Sequence, residues 1–405
     1  MLSSVPRRSA ARSPRRVTPV ALGLLAAGAA VFLVWPSPIR PVAWTPAPAL
    51  PPTGVLAPND ALRAGEWIGT GRLHRPEDVA FDAQGRMYVG SRDEVSGQGA
   101  TGAGDLNPRI ERVTFAPDGS ARVEEWVRLP GGGPLDLRFD HAGNLLVASW
   151  GQGLLSISPG RQVRVLVPEG QVIGGEPFGF ADGVAAHPDG RVFFTQGTRG
   201  AYTPDKAVLD VLSGRPGGRL LEYTPRTGAV RVLIPDLSFG NGVVLAPDGS
   251  FVLVADQYRY RIRRYWLTGA RAGTEDVFID NLPGFVHNLS LDDVGVLWIA
   301  VNRPRNPLAD RLAPYPWLKA QVAKLPSALF NAPPSRDESR RGEGSVLAVD
   351  LRGRPLLSLQ NPPRRLNFLS SAVYHGGFLY LGSIDGGPVL RVPLPARPLP
   401  GGETR

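Results

Sequence analysis

Cysteine is absent from all 405 residues. Disulfides, thiolate metal sites and a cysteine nucleophile are excluded, and sulfur gives no reading of the compartment. No Gly-x-Ser-x-Gly elbow occurs, so a serine-hydrolase triad lacks its turn. The glycine-rich stretch Gly131–Pro134 is not followed by the helix and lysine that a phosphate-binding loop needs. Long helical periodicities are scarce. Even the positive charge, +9 overall, is concentrated at one end, because Arg7, Arg8, Arg12, Arg15 and Arg16 supply five of it. The run "QYRYRIRRYW" (257–266) reads as a strand with Arg outward and Ile, Tyr and Trp packed between sheets. No nucleic-acid partner is expected.

What the chain does have is 49 Gly, 41 Pro and many short runs of Val, Ile, Leu, Phe and Tyr broken by Asp-Gly or Pro-Asp-Gly. That is the composition of an all-β protein with many tight turns. Ahead of these runs stands Val17–Trp35, an uncharged apolar stretch of 19 residues, long enough as a helix to span a bilayer. Five arginines before it and Arg40 shortly after it orient the N-terminus to the cytoplasm and the remainder outside, periplasmic or extracellular. A cleaved signal peptide is the alternative, because small residues ("AGAA") follow a shorter apolar run. The run continues unbroken to Trp35, and we read an uncleaved anchor. The Pro-rich residues that follow form an extended tether between membrane and domain.

From about residue 62 the chain repeats itself. Six segments pair an alternating apolar strand with a Gly-containing turn and a second apolar strand: "EDVAFDAQGRMYVGS", "LDLRFDHAGNLLVAS", "DGVAAHPDGRVFFTQ", "NGVVLAPDGSFVLVA", "HNLSLDDVGVLWIAV" and "SSAVYHGGFLYLGS". Their turn glycines are Gly85, Gly143, Gly190, Gly249, Gly295 and Gly377, spaced 46 to 59 residues apart except for a last interval of 82. Repeats of this size, each a four-stranded unit that cannot bury both faces alone, predict a six-bladed β-propeller. The last copy lacks its outermost strand, and "GEWIGTGRL" (Gly65–Leu73) precedes the first blade unpaired, so joining the two closes the ring. Within the long interval, Leu318, Val322, Leu325 and Leu329 fall at helical spacing and predict an inserted helical lid. The expected plan is a basic cytoplasmic N-terminus over 1–16, a transmembrane anchor over 17–35, a linker over 36–61, a propeller over 62–396 with a helical insertion at about 303–343, and a tail over 397–405.

Counting eight residues back from the first five turn glycines gives Glu77, Leu135, Asp182, Asn241 and His287, four of the five polar. In a propeller the inner strands start at the central channel, so residues in one phase converge on the axis. Oxygen-rich sets of carboxylates and amides suit hard divalent cations such as Ca²⁺. A hydrogen-bonded polar plug filling the channel mouth accounts for the same residues equally well. His141, His187 and His375 fall in turns and are read as turn residues.

At "LSFGNGVVLAPDGSFVLVADQYRYRIRRYWL", together with "DNLPGF" and "APYP", the chain resembles the strictosidine synthase-like family, above all the branch typified by adipocyte plasma membrane-associated protein. That branch has an N-terminal membrane anchor followed by a six-bladed propeller. The resemblance runs from about Gly65 to Leu394 and extends more distantly to gluconolactonase, paraoxonase and diisopropyl fluorophosphatase, propeller hydrolases with an axial divalent ion. Carried over, it puts metal ligands at Glu77 and Asn241, at Asp182 in place of an Asn, and at the pair His287–Asn288, where His287 replaces an Asp. Imidazole is a poor ligand for Ca²⁺ and a good one for Zn²⁺ and other transition metals. Three outcomes stay open: a site retuned to a softer metal, a calcium site held by Glu77, Asp182 and Asn241, or a metal-free site with His287 as a base. The glutamate that strictosidine synthase uses just before its last inner strand is replaced here by Ser370 and Ser371, so amine–aldehyde condensation is not expected. Relatives often have a cysteine before "GxPLGLRFD", where this chain has "GGGPLDLRFD".

The resulting expectation is a membrane-anchored, extracytoplasmic propeller hydrolase. It acts on small esters or lactones at an axial site with Glu77, Asp182, Asn241 and Asn288 as ligands and His287 as ligand or base, and it uses no organic cofactor. The alternative is a non-enzymatic propeller that binds a ligand or a protein through its channel face.

Overall fold

Alternation of apolar and polar residues, cut at regular intervals by glycine turns, leaves each strand group with two faces to bury, and neighbouring groups supply the cover. The computed structural model describes residues 19–93, 107–200, 202–326, 344–360, 366, 368–384, 387–394 and 396. It contains six four-stranded antiparallel sheets arranged as the blades of a propeller. The inner strands are Val79–Phe81, Gly133–Phe139, Ala181–Ala186, Gly240–Leu245, Gly284–Leu291 and Leu369–His375. Each blade then runs outward in sequence order. The exception is blade six, whose outermost strand is Glu66–Ile68, paired antiparallel to Val389–Pro393 with Trp67 opposite Leu390. The two ends of the domain thus share one sheet, as the unpaired first strand required.

The hairpins between the first and second strands repeat one device. The Asp82 carboxylate accepts the main-chain N–H groups of Gln84 and Arg86 at 3.0 and 2.9 Å, and Asp140 and Asp292 do the same in their blades. Gly85, Gly143 and Gly295 follow with φ of 72°, 81° and 82°, a left-handed conformation that only glycine adopts without strain. The core lies between blades. Leu253 and Ile262 of blade four pack on Leu289 and Ile299 of blade five, and the wholly buried Trp298 stacks on Tyr374 of blade six at 5.9 Å.

Among the described residues, four α-helices interrupt this pattern: α1 (Pro19–Val34), α2 (Pro204–Ser213), α3 (Pro307–Leu312) and α4 (Pro316–Val322). The lid expected as one helix is instead two short ones. Pro314 and Pro316 divide them, because proline inside a helix lacks the N–H that the ladder needs. Leu329 lies outside the described residues. Of the expected membrane span, residues 17 and 18 lie outside the described residues, and α1 accounts for 16 residues, about 24 Å of helix. No helix among the described residues is long and apolar enough to cross a membrane. Residues Val42–Leu50 run across the propeller as a strap, with Val42 N–H donating to Ser213 O, Trp44 N–H to Ala313 O and Leu50 N–H to Asn281 O.

Candidate functional site

Inner strands reach the axis through irregular pairing. The register with the second strand shifts between Pro134 and Asp136, Ala181 and Val184, Gly240 and Val243, Val286 and Leu289, and Leu369 and Ala372. Regular strands send neighbouring side chains to opposite faces, whereas a bulge lets consecutive residues face one side. The axis therefore has two stacked rings. Nearer the strand starts are Glu77, Leu135, Asp182, Asn241, His287 and Ser370; one residue on are Asp78, Asp136, Asn288 and Ser371, all buried. Gly183 and Gly242 fill the remaining second-ring places. A Cβ on either would lie about 2.5 Å from the backbone of the next blade, at Asn241 O and Leu289 N respectively, so the strands there approach main chain to main chain.

The second ring staples blades. Asp78 Oδ2 accepts from Leu137 N at 3.0 Å and Asp136 Oδ2 from Val184 N at 2.9 Å, each reaching into the following blade. Asn288 Nδ2 donates to Leu135 O at 3.3 Å. Burial, reinforced by the charge of Asp78, raises the pKa of Asp136 well above the usual carboxylate range.

Both rings keep side-chain atoms without a hydrogen bond, Asp136 Oδ1 and Ser371 Oγ in the second and Asp182 Oδ1 in the first. Arg92, at the end of the second strand of blade one, donates from Nη2 to Glu77 Oε2 at 2.9 Å, both side chains buried. Asn241 Nδ2 lies 3.4 Å from Asp182 Oδ2 and 2.9 Å from Gln257 Oε1. Asp182 Oδ1 and Arg92 Nη1 are buried without a hydrogen-bond partner. Burial raises the pKa of Glu77, against the pull of Arg92. Burial, with Glu77 adding to it, lifts the pKa of Asp182 well above its ordinary value.

His287 has a defined tautomer. Its Nδ1 lies 3.1 Å from Ser370 O and 3.1 Å from Asn288 Oδ1, both acceptors, and the Asn288 amide is oriented by its Nδ2 bond to Leu135 O. Nδ1 therefore carries the hydrogen and Nε2 the lone pair. Burial brings the imidazole pKa down to about 4, so the ring is neutral at pH 7. Ser370 Oγ in turn donates to Glu77 O at 2.6 Å, so blades five, six and one are linked through His287, Ser370 and Glu77.

Above the first ring sits an aromatic collar. Phe180, Phe239 and Phe285 stand two residues before Asp182, Asn241 and His287, and Tyr202 and Tyr258 fill between them with centroid spacings of 4.7 to 6.0 Å. Arg75, Phe180, Phe239 and Phe368 have φ of 49°, 49°, 67° and 47°, a left-handed conformation costly for non-glycine residues and repeated at one phase in four blades. Burial pushes the Tyr202 hydroxyl up to about 12, with Asp182 and Glu77 adding to the shift.

All five residues expected at the site, Glu77, Asp182, Asn241, His287 and Asn288, thus lie buried around the axis. They do not form a metal cradle. Glu77 is paired with a guanidinium. The Asn241 Oδ1 accepts from Gly242 N at 2.8 Å, so turning the amide would strand that N–H, and the Asn288 Oδ1 faces the His287 N–H. No three His, Asp or Glu side chains among the described residues converge closely enough to hold an ion. With Arg92 already in place, this donor set does not fit a divalent cation. Asp78, Asp136, Arg92 and the collar were not anticipated. Counting seven and ten residues back from the same glycines finds Asp78, Asp136, Phe180, Phe239 and Phe285.

Comparison with known proteins places this architecture. Family models described as "Strictosidine synthase" and "Strictosidine synthase-like, N-terminal" match residues 182–270 and 54–93. The chain is 30% identical over 350 residues to Protein STRICTOSIDINE SYNTHASE-LIKE 7 of Arabidopsis thaliana, covering 86% of each. It is 32% identical over 374 residues to adipocyte plasma membrane-associated protein of Gallus gallus, covering 88% of this chain and 84% of that one. Among solved structures, regucalcin from Agrobacterium tumefaciens, described as a calcium-binding protein, superposes with a TM-score of 0.50 at 16% identity, covering 89% of this chain and 99% of that one. A luciferin-regenerating enzyme superposes with a TM-score of 0.51 at 11% identity, covering 81% and 92%. At such identities these two structures speak for the fold alone. The sequence relationships, spanning most of both chains, go further: this protein belongs to the strictosidine synthase-like family.

Proposed function

We propose that the chain hydrolyses small esters or lactones at the first ring, with Arg92 in the place that a metal ion takes in other propeller hydrolases. The observation that carries this reading is the buried, unpartnered Arg92 Nη1, whose Nη2 donates to Glu77, together with the buried, unpartnered Asp182 Oδ1 of the same ring. A buried polar atom without a partner costs stability and suits a ligand that satisfies it.

In the reaction, Glu77 takes a proton from water as the water oxygen attacks the carbonyl carbon. The Arg92 Nη1 N–H groups bind the developing oxyanion. As the tetrahedral intermediate collapses and the C–O bond breaks, protonated Asp182 gives its proton to the leaving alkoxide, releasing acid and alcohol or opening the lactone. The proton then held by Glu77 passes to Asp182 through solvent. Two carboxyl groups with different protonation at one pH can divide the work of base and acid in this way. His287, neutral and pinned through Nδ1, orients the ring and offers Nε2 as an acceptor.

A non-enzymatic binding role is favoured by a different observation: Phe180, Phe239 and Tyr258 close the mouth, and Phe180 is only 8% exposed. Turnover of a panel of aryl esters and lactones separates the two. Activity that survives unchanged in both Glu77→Gln and Asp182→Asn rejects the catalytic reading. The same proposal keeps the domain at a membrane and outside the cytoplasm, supported by the basic residues before α1 and by the apolar run that includes it.

A further inference from the structure

The loops at the two ends of the propeller differ in chemistry. Second strands run back toward the starts of the inner strands, as the pairing of Ala181 with Gln196 and of Gly284 with Pro304 shows. The segments that follow them, which hold α2, α3 and α4, therefore lie on the same side as the aromatic collar. The opposite side is made of Asp-Gly hairpin turns. Large exposed apolar side chains are concentrated on α3, α4 and the turn after α4: Leu308, Tyr315, Trp317, Leu318 and Leu325 are 39 to 61% exposed. Outside α1 and this lid, exposed large apolar residues are scattered: Trp35 just after α1, Val55 in a turn, Val172 in a short hairpin, and Trp67, Val165 and Val277 singly on outer strands.

We infer that the mouth face of the propeller, led by α3 and α4, lies in the interfacial layer of an anionic lipid membrane, so that the axial site opens toward the bilayer. The inference rests on the membrane association proposed above and adds an orientation to it.

What identifies lipid as the occupant is the route of the chain. α1 is apolar throughout, and its end is tied to the lid: Lys324 Nζ donates to Phe32 O at 2.8 Å and to Leu33 O at 3.1 Å, and lies 5.3 Å from the Phe32 ring centroid. The strap that follows is fastened across the same face. Buried Lys319 of α4 donates to Val42 O at 2.6 Å, and the Trp44 ring lies 4.2 Å beneath the Arg259 guanidinium. A tether so fastened cannot hold the propeller by its hairpin side. The lid's own composition agrees, because Trp and Tyr with Leu, bordered by the exposed Arg311 and by Lys324, is the set enriched where apolar chains meet headgroups.

The absence of cysteine makes the test direct. Single cysteines in the full chain, Leu318→Cys on the lid, Ala83→Cys on an exposed hairpin turn of blade one and Leu24→Cys on α1, are labelled with an environment-sensitive fluorophore. Each variant is reconstituted in phosphatidylcholine–phosphatidylglycerol nanodiscs. The expected result is blue-shifted emission at Leu318, quenched several-fold more by lipids spin-labelled near the headgroup than at Ala83. If the Leu318 label is as wet as the Ala83 label while the Leu24 label sits in lipid, the anchor stands and the orientation is overturned. If the Leu24 label is in water too, membrane association itself fails and takes the orientation with it. Shielding of the Leu318 label without quenching by spin-labelled lipid would mean a protein covers the lid, and also overturns the inference.

Discussion

The two rings of the axis lie one residue apart, yet they bond their carboxylates differently. Asp78 and Asp136 receive main-chain N–H groups from the next blade. Asp182, in the ring above, receives no main-chain bond and leaves Oδ1 bare. Asp136 Oδ1 and Ser371 Oγ of the lower ring also lack a hydrogen bond, so the contrast lies in the main-chain bonds between blades, which Asp78 and Asp136 accept and Asp182 does not. A difference of a single residue in phase therefore separates carboxylates that join blades from one that does not.

The comparison breaks first at turnover. Glu77→Gln and Asp182→Asn should each lower kcat/KM for the best ester or lactone by roughly 10²-fold or more, the range for loss of a general base or acid, whereas Asp78→Ala should leave residual activity in proportion to folded protein. In stability the order reverses. Asp78→Ala leaves Leu137 N–H unpaired in the core and should cost about 1–3 kcal/mol in chemical denaturation. Asp182→Asn should be neutral or stabilising at pH 7, because burial penalises the charged carboxylate and the amide carries no charge. Loss of stability in Asp182→Asn as large as in Asp78→Ala would erase the distinction between the rings.

His287 gives a pH-dependent test. Its native pKa of about 4 lies below the ordinary value of 6.5, so the unfolded chain binds the extra proton first. Stability from this group is complete above pH 6.5 and is lost as pH falls toward 4, by at most about 3 kcal/mol. The raised carboxyls Glu77, Asp136 and Asp182 work in the other direction, stabilising as pH falls, so the measurement is the difference between wild type and His287→Gln across pH 4 to 7. A flat difference curve contradicts the buried neutral imidazole. The smallest expected effect is on the metal: chelator or added Ca²⁺ should not move the melting temperature, and a clear shift with either would reinstate a cation that the Arg92–Glu77 pair argues against.

Much of this was legible in the sequence, for physical reasons. The six turn glycines mark positions where φ must be positive, so aligning on them aligns the blades, and the first ring follows by counting. Ring closure by Glu66–Ile68 followed from a strand left over at one end and a place left over at the other. The second ring was hidden by the alternation rule, which sends Asp78 and Asp136 away from the axis unless a bulge is known to be there. Arg92 was hidden because it belongs to a second strand, outside the phase that was counted. α2 left signals that went unread: Thr203 accepts from Lys206 N–H at the N-terminus, Pro204 opens the helix, and Gly214 closes it with φ of 63°. A polar ten-residue segment between two strands of one blade looks like a long loop until its caps are read together.

The strand Glu66–Ile68 also has a consequence in time. It is made early by the ribosome, and its partner, Val389–Pro393, is made more than 300 residues later. Until then blade six has no outer edge, and the Glu66–Ile68 segment has no strand to pair with. The ring locks only as the end of the domain emerges. A chain stopped short of residue 389 is expected to present an open sheet edge to quality control, which makes the last strand the checkpoint of biogenesis.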